Sequence, residues 1–338
     1  MRKTNMHEVI HQNIAENLIK VYDGKEPFAN YLKKYFAANK KHGSRDRKRI
    51  TAMCYDFFRT HFKEFPFSNK IAISINKEQF IASHQKQPLL FARIRPWQKT
   101  KVIQKLKEAN ILYKEIGEMA LSFTNTTALQ NVVDINKEMV IQDLSSQAVA
   151  SLLQLIPTSL DKVKNVWDAC AASGGKSILM FDVLNNIKIH VSDVRASILH
   201  NAEKRLAEAG IKPASLQEID LTQSFEIKKQ FDFVFADVPC SGSGTWGRTP
   251  EQLIYFKEDQ LAYYVSLQSQ ILKNIISTVV LEGFLLYTTC SVFEDENEKQ
   301  VETLLATGKF KLIQQNYFIG YTQQADTLFG ALLQKVSD

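Results

Sequence analysis

Apolar residues recur at three- and four-residue spacing through "NIAENLIKVY", "PFANYLKKYFAAN" and "RDRKRITAMCYDFFRTHF". Residues 1–70 therefore predict a helical domain, with Ser44 placed to cap its third helix. Residues 71–137 are mixed: "LLFARIRPW" is strand-like, "KTKVIQKLKEANI" is helical, and short strand-prone stretches follow. A small α+β linker domain fits that pattern. "EMVIQDLSSQAVASLLQLI" then predicts a helix, with Asp143, Ser145 or Ser146 as its cap.

From residue 163 strands and helices alternate. "VKNVWDAC", "KIHVSDV", "SLQEIDL", "FDFVFADVP" and "GFLLYTTC" read as strands. "KSILMFDVLNN", "SILHNAEKRLAEAG" (closed by Gly210) and "QLAYYVSLQSQILKNIISTVV" read as helices between them. This alternation predicts an α/β, doubly wound, mostly parallel sheet over 138–338. Ligands of such sheets sit beyond the carboxyl ends of the strands. Asp168, Asp193, Asp220, Asp237 and Cys290 each fall at such an end, so they are expected to converge on one rim.

Composition is that of an ordinary soluble protein, at 45% hydrophobic and 23% charged residues. No stretch is apolar and long enough to span a bilayer, and the N-terminus lacks a secretory h-region. A cytoplasmic, monomeric protein without a membrane partner is expected. The four cysteines, Cys54, Cys170, Cys240 and Cys290, are then expected to be free thiols. They contain no CxxC pair, and no metal site is expected.

Charge is unevenly spread. Residues 1–130 carry 24 Lys and Arg against 11 Asp and Glu, net +13, and the remainder is net −7. Lys40, Lys41, Arg45, Arg47, Lys48 and Arg49 cluster at the start of the third helix. A basic front suits a polyanion such as RNA, leaving chemistry on a smaller ligand to the acidic back. A solvated lysine-rich helical surface is the plainer alternative.

Three motifs can carry chemistry. "DACAASGGKS" (168–177) joins the first strand of the alternating region to its helix. A P-loop would need glycine where Cys170 stands, and GxGxxG is absent, so an NTPase and a dinucleotide fingerprint are both disfavoured. What remains is a glycine loop with an acid, Asp193, 18 residues after Gly175. That spacing suits both ribose hydroxyls of an adenosine-bearing cofactor, with Asp220 near the adenine edge, and points to S-adenosylmethionine; an ordinary turn is the alternative. "DVPCSGSGTWGRTPE" (237–251) and "YTTCSVFEDENE" (287–298) each hold a cysteine where an apolar strand gives way to a loop. In the first, Asp237 can meet a base edge and Arg248 a phosphate. Two thiols beside a methyl donor suit pyrimidine chemistry: one adds to carbon 6 to make carbon 5 nucleophilic, the other helps expel it. Spacing does not say which thiol attacks.

These three motifs, with "VIQDLSSQ" upstream and "DTLFGALLQK" near the end, resemble the Nop/Sun (RsmB-like) family of RNA cytosine-C5 methyltransferases over residues 138–336. The resemblance implies a Rossmann-like class I methyltransferase domain preceded by a NusB-like helical domain. It implies that Cys170, Ala171, Ala172, Ser173, Gly174, Gly175 and Lys176, with Asp193, Asp220 and Asp237, bind S-adenosylmethionine. It implies that Cys290 is the nucleophile, that Cys240 assists product release, and that Lys176 and Asp237 lie against the target base. Structured RNA is the implied substrate, ribosomal before transfer RNA. The alternative from another class is a non-catalytic RNA-binding ribosome-assembly factor. Ser173 stands where the family commonly has proline, and "TWGRTPE" is less basic than usual, leaving Arg248 alone for a phosphate.

Overall fold

The N-terminal periodicity becomes three helices, α1 (Met6–Val21), α2 (Phe28–Ala38) and α3 (Ser44–His61), in a computed structural model that describes residues 6–157, 164–184, 186–225 and 229–337. Their apolar stripes close on one another, burying Leu18, Phe28, Leu32, Ile50, Cys54 and Phe58. Ser44 is not the cap expected of it. It is the first helical residue, behind Gly43, whose N–H is taken by the Asp46 carboxylate at 3.0 Å. That acid makes one half of a capping box, and glycine has no side chain to make the reciprocal bond.

After a short helix α4 (Lys77–Ser83), a small antiparallel sheet forms from β1 (Leu90–Ile94), β2 (Lys114–Ile116), β3 (Ala120–Phe123) and β4 (Met139–Ile141), in the order β2-β3-β1-β4. Helix α5 (Lys99–Glu108) covers it with Val102 and Leu106. Residues 139–141 were expected to open a helix. They pair with β1 instead, Ala92 opposite Ile141, because the edge of that sheet is open to them. The helical turns start only behind Asp143, which accepts the Ser145 N–H at 2.9 Å, as α6 (Leu144–Ala148) and α7 (Ala150–Leu153).

The alternating region runs β5 (Lys164–Asp168), α8 (Gly175–Val183), β6 (Ile187–Asp193), α9 (Ala196–Glu208), β7 (Ser215–Glu218), β8 (Phe231–Asp237), α10 (Gln252–Tyr255), α11 (Glu258–Ile275), β9 (Val279–Thr289), α12 (Glu298–Ala306), β10 (Phe310–Ile319) and β11 (Thr327–Lys335). Its sheet has the order β10-β11-β9-β8-β5-β6-β7, parallel except for β11, which is antiparallel to both its neighbours. This is the doubly wound fold that the strand–helix alternation predicts, with a core on each face: Val166, Ile178 and Phe233 on one, Trp167, Val234 and Ile271 on the other. Val279 and Val280, expected at the end of a long helix, begin β9. Two consecutive β-branched residues pack better in a strand than against a helical turn.

The N-terminal helices dock on the loop between β8 and α11. Glu251 accepts the Phe28 N–H at 3.1 Å, Tyr255 donates to the Tyr22 carbonyl at 3.1 Å, and Arg59 donates to the Gly247 carbonyl at 3.1 Å. The small sheet is tied on by Arg93 and Arg95, which both reach Asp182 of α8 at 2.7 Å. No helix among the described residues is long and apolar enough to cross a membrane.

Candidate active site

Strand order reverses between β5 and β8, which leaves a crevice over their carboxyl ends. A cavity of about 620 Å³ opens there, a size that accepts a cofactor-sized ligand. Its wall includes Cys170, Ala172, Lys176, Asp193, Asp220, Asp237, Cys240 and Cys290.

The turn after β5 is tight. Ala172 has φ 47° and Gly174 φ 80°, and a Cβ on Gly174 would meet Ala202 of α9 at 3.4 Å. A left-handed backbone packed against a helix suits glycine. The turn shows the cavity only part of itself. Ala171 is in the core with its N–H on the Ser192 carbonyl, Ser173 is held by Arg205 through its hydroxyl at 2.7 Å, and Gly175 starts α8 beside Arg205. At the end of β6 Asp193 accepts the Ala172 N–H at 2.9 Å and an ion pair from Arg195 at 3.0 Å. Asp220 takes the Thr222 N–H and hydroxyl, which hold its carboxyl below the usual range.

In the same cavity Lys176 Nζ lies 2.6 Å from Asp237 Oδ2, and the other Asp237 oxygen accepts the Thr288 hydroxyl at 2.8 Å. Burial works against the lysine's charge, but the Asp237 carboxylate outweighs it and the pKa is raised. The two thiols meet: Cys240 Sγ is 3.3 Å from Cys290 Sγ. The contact with Cys290 and burial push the Cys240 thiol well above its ordinary range, so Cys240 keeps its proton at neutral pH.

Residues 153–329 match the family described as 16S rRNA methyltransferase RsmB/F. The chain belongs to that family. Ribosomal RNA small subunit methyltransferase B of Xylella fastidiosa strain 9a5c is 33% identical over 171 residues, which is 50% of this chain and 39% of that protein. Its counterpart in Xanthomonas campestris is 31% identical over 174 residues, 50% of this chain and 38% of that protein. The chain thus spans about two fifths of the length of these curated relatives. Two solved structures share the fold: a methyltransferase homologue from Pyrococcus horikoshii (18% identity, TM-score 0.66, 80% of this chain and 93% of that one) and NSun6 from Pyrococcus horikoshii with SFG (14%, 0.67, 83% and 98%).

Two residues expected at the site lie elsewhere in this RsmB/F chain. Arg248 does not face the cavity. Its guanidinium bridges Asp326 at 2.9 Å and Asp143 at 2.7 Å, fastening the loop after Cys240 to the start of β11 and the cap of α6. Engaged twice by carboxylates, it has no charge left over for a phosphate. Asp168 sits at its strand end but beneath the rim, fully buried, where it accepts the Ser177 hydroxyl while its other oxygen has no partner among the described residues. Burial pushes this carboxyl up from 3.8 to about 7. A carboxyl raised in the folded state contributes stability below pH 3.8 that is lost as pH climbs towards 7. Asp168→Asn should therefore flatten the fall in melting temperature between pH 4 and pH 7, whatever its effect on the absolute value, and thermal melts across that window test it; parallel curves for the two proteins would show that Asp168 does not titrate there.

Residues that the sequence pattern did not mark also line or flank this cavity. Tyr263 and Tyr264 of α11 line the cavity, Arg195 covers Asp193, and Glu296 lies buried behind both thiols. Only Arg195 had a signal in sequence, two positions after an acid singled out for ribose. The tyrosines lie within an ordinary amphipathic helix, and Glu296 within a run of acids that reads as solvated.

Proposed function

We propose that this protein is an S-adenosylmethionine-dependent RNA cytosine-C5 methyltransferase that works through a covalent bond between Cys290 and carbon 6 of the base. The observation that carries the proposal is the 3.3 Å contact between Cys240 and Cys290, in the same cavity as the Lys176–Asp237 pair. One protonated thiol against a second thiol is what a two-cysteine cycle needs: a nucleophile, and a neighbour that handles protons when the nucleophile must leave.

The cofactor is S-adenosylmethionine. The residues present fit it. Asp193 and Asp220 would offer carboxylates to ribose hydroxyls and the adenine edge, Ile219 and Leu221 would offer apolar cover, and Asp237 would border the same pocket. Bound there, the cofactor would supply an electrophilic methyl group, the electrons of the broken sulfur–methyl bond staying with the departing neutral thioether. Cys290 loses its proton to solvent, its Sγ forms a bond to carbon 6, and the ring's carbon 5–carbon 6 π pair becomes available at carbon 5. Lys176 and Asp237 hold the base edge. After carbon 5 carries the methyl, its proton is removed, the double bond re-forms, and the carbon–sulfur bond breaks with its electrons returning to Cys290. Cys240 assists that release.

The base must leave its stack, which costs a few kcal/mol. Phosphate contacts to the N-terminal helices are suited to offset this. Of the basic cluster, Arg49 pairs with Glu8 and Arg47 folds over Phe36, while Lys40, Lys41, Arg45 and Lys48 stand exposed. Ribosomal RNA is the substrate this reading favours, with transfer RNA second.

Bisulfite sequencing of total RNA from a strain lacking the gene should show one cytosine losing its methyl mark, in ribosomal RNA. A mark lost from transfer RNA would move the substrate; no lost mark, together with no calorimetric signal for S-adenosylmethionine, would favour the assembly-factor alternative.

A further inference from the structure

We infer that Glu296 is a positioning residue, a single buried carboxylate that holds the Cys240 and Cys290 segments so that their thiols touch. Its side chain is wholly inaccessible to solvent. Oε1 accepts the Ser241 N–H at 2.8 Å and the Gln268 amide at 3.0 Å, and Oε2 accepts the hydroxyls of Ser241 and Ser291. Ser241 directly follows Cys240, and Ser291 directly follows Cys290. Gln268 also donates to the carbonyl of Pro239, the residue before Cys240, at 3.0 Å. One carboxylate is therefore tied, directly or through Gln268, to both sides of Cys240 and to the residue after Cys290.

Neutral contacts reinforce the arrangement. The Ser243 and Ser291 hydroxyls are 3.1 Å apart, and the Gly244 N–H donates to the Cys290 carbonyl at 2.9 Å. One acceptor group that takes four hydrogen bonds from three residues fixes them relative to one another, whereas each serine–serine contact fixes only a pair. The four donors on Glu296 thus set the geometry that the serines only support. Its own backbone is fixed from behind, where the Tyr287 hydroxyl donates to the Glu296 carbonyl.

The consequence for turnover rests on the proposed cytosine methyl transfer; the placement of the thiols does not, and it can be measured without substrate. Diamide oxidises two thiols to a disulfide, taking their two hydrogens and two electrons to become the hydrazine. The rate at which it links Cys240 to Cys290 reads their proximity, and mass spectrometry of the linked peptides distinguishes that pair from Cys170 and Cys54. Glu296→Ala should slow this linkage at least about tenfold at temperatures well below melting, since a displacement near 1 Å is enough to disrupt a reacting pair. Glu296→Gln should recover most of the rate, because its carbonyl can serve the two N–H donors while its amide donates to the two serine hydroxyls, which accept as readily as they donate. Should Glu296→Ala fail to fold, Ser241→Ala carries the test, with a smaller slowing expected. Methylation should fall in step with linkage while S-adenosylmethionine affinity holds. Linkage at the wild-type rate in a folded Glu296→Ala or Ser241→Ala protein would overturn the positioning role. Slowed linkage in a protein whose wild type methylates no RNA would uphold it and remove the methyltransferase reading instead.

Discussion

Cys290→Ala is expected to abolish methyl transfer, and Cys240→Ala to leave a covalent protein–RNA adduct that survives a denaturing gel. The first loss should be complete within detection, because no other group supplies the bond to carbon 6 that makes carbon 5 reactive. The second should lower turnover by about 10²–10⁴-fold, the range associated with a lost acid–base partner, while bond formation continues. The asymmetry follows from the roles that the family resemblance implies for the two cysteines, and the state of Cys240 suits the second of them. Cys240 is driven well above its ordinary range by its contact with Cys290 and by burial, so it stands as a protonated thiol beside Cys290. The measurement is a gel mobility shift with labelled RNA and S-adenosylmethionine, run beside a methylation assay. An adduct with Cys290→Ala and none with Cys240→Ala would exchange the two roles.

Lys176→Met and Asp237→Asn are each expected to lower kcat/KM by about 10²–10³-fold, comparable with removing one preorganised donor from a site that stabilises developing charge. Their double variant should be little worse than the more damaged single one. The two side chains meet at 2.6 Å, and Thr288 orients the carboxylate from its other side. Removing either leaves the other pointing elsewhere, so the effects share one cause and do not add. Single-turnover rates with saturating cofactor separate this from weakened binding. Independent losses that multiply in the double variant would mean that Lys176 and Asp237 act on different atoms.

Much of the architecture is legible in the chain because it depends on local period. A stripe at three- and four-residue spacing closes only as a helix packed on a neighbour, and α1, α2 and α3 form where that stripe runs. Alternation of apolar runs with amphipathic helices implies a parallel sheet, and the five strands read from it, β5 to β9, pair in parallel, while β10 and the antiparallel β11 extend the sheet beyond that reading. Failures came where a tertiary partner outweighed local preference. Met139–Ile141 took the free edge beside β1, and Val279 left its predicted helix for β9. The carboxyl-end argument likewise put Asp193, Asp220, Asp237 and Cys290 on one cavity wall, but it could not tell a rim position from one beneath it, which is where Asp168 lies.

By itself the sequence determined the strand-and-helix alternation, the glycine turn after β5 and the presence of two cysteines at strand ends 50 positions apart. Only the tertiary structure decided that those thiols touch at 3.3 Å, that Glu296 ties their segments together, and that Arg248 is used up by Asp143 and Asp326. The physical reason is one of range. Periodicity and turn chemistry act over a few residues, whereas these pairings, apart from that of Glu296 with Ser291, join residues separated by 50 to more than 100 positions, and they exist only once β8 and β9 lie side by side and the loops beyond them have closed.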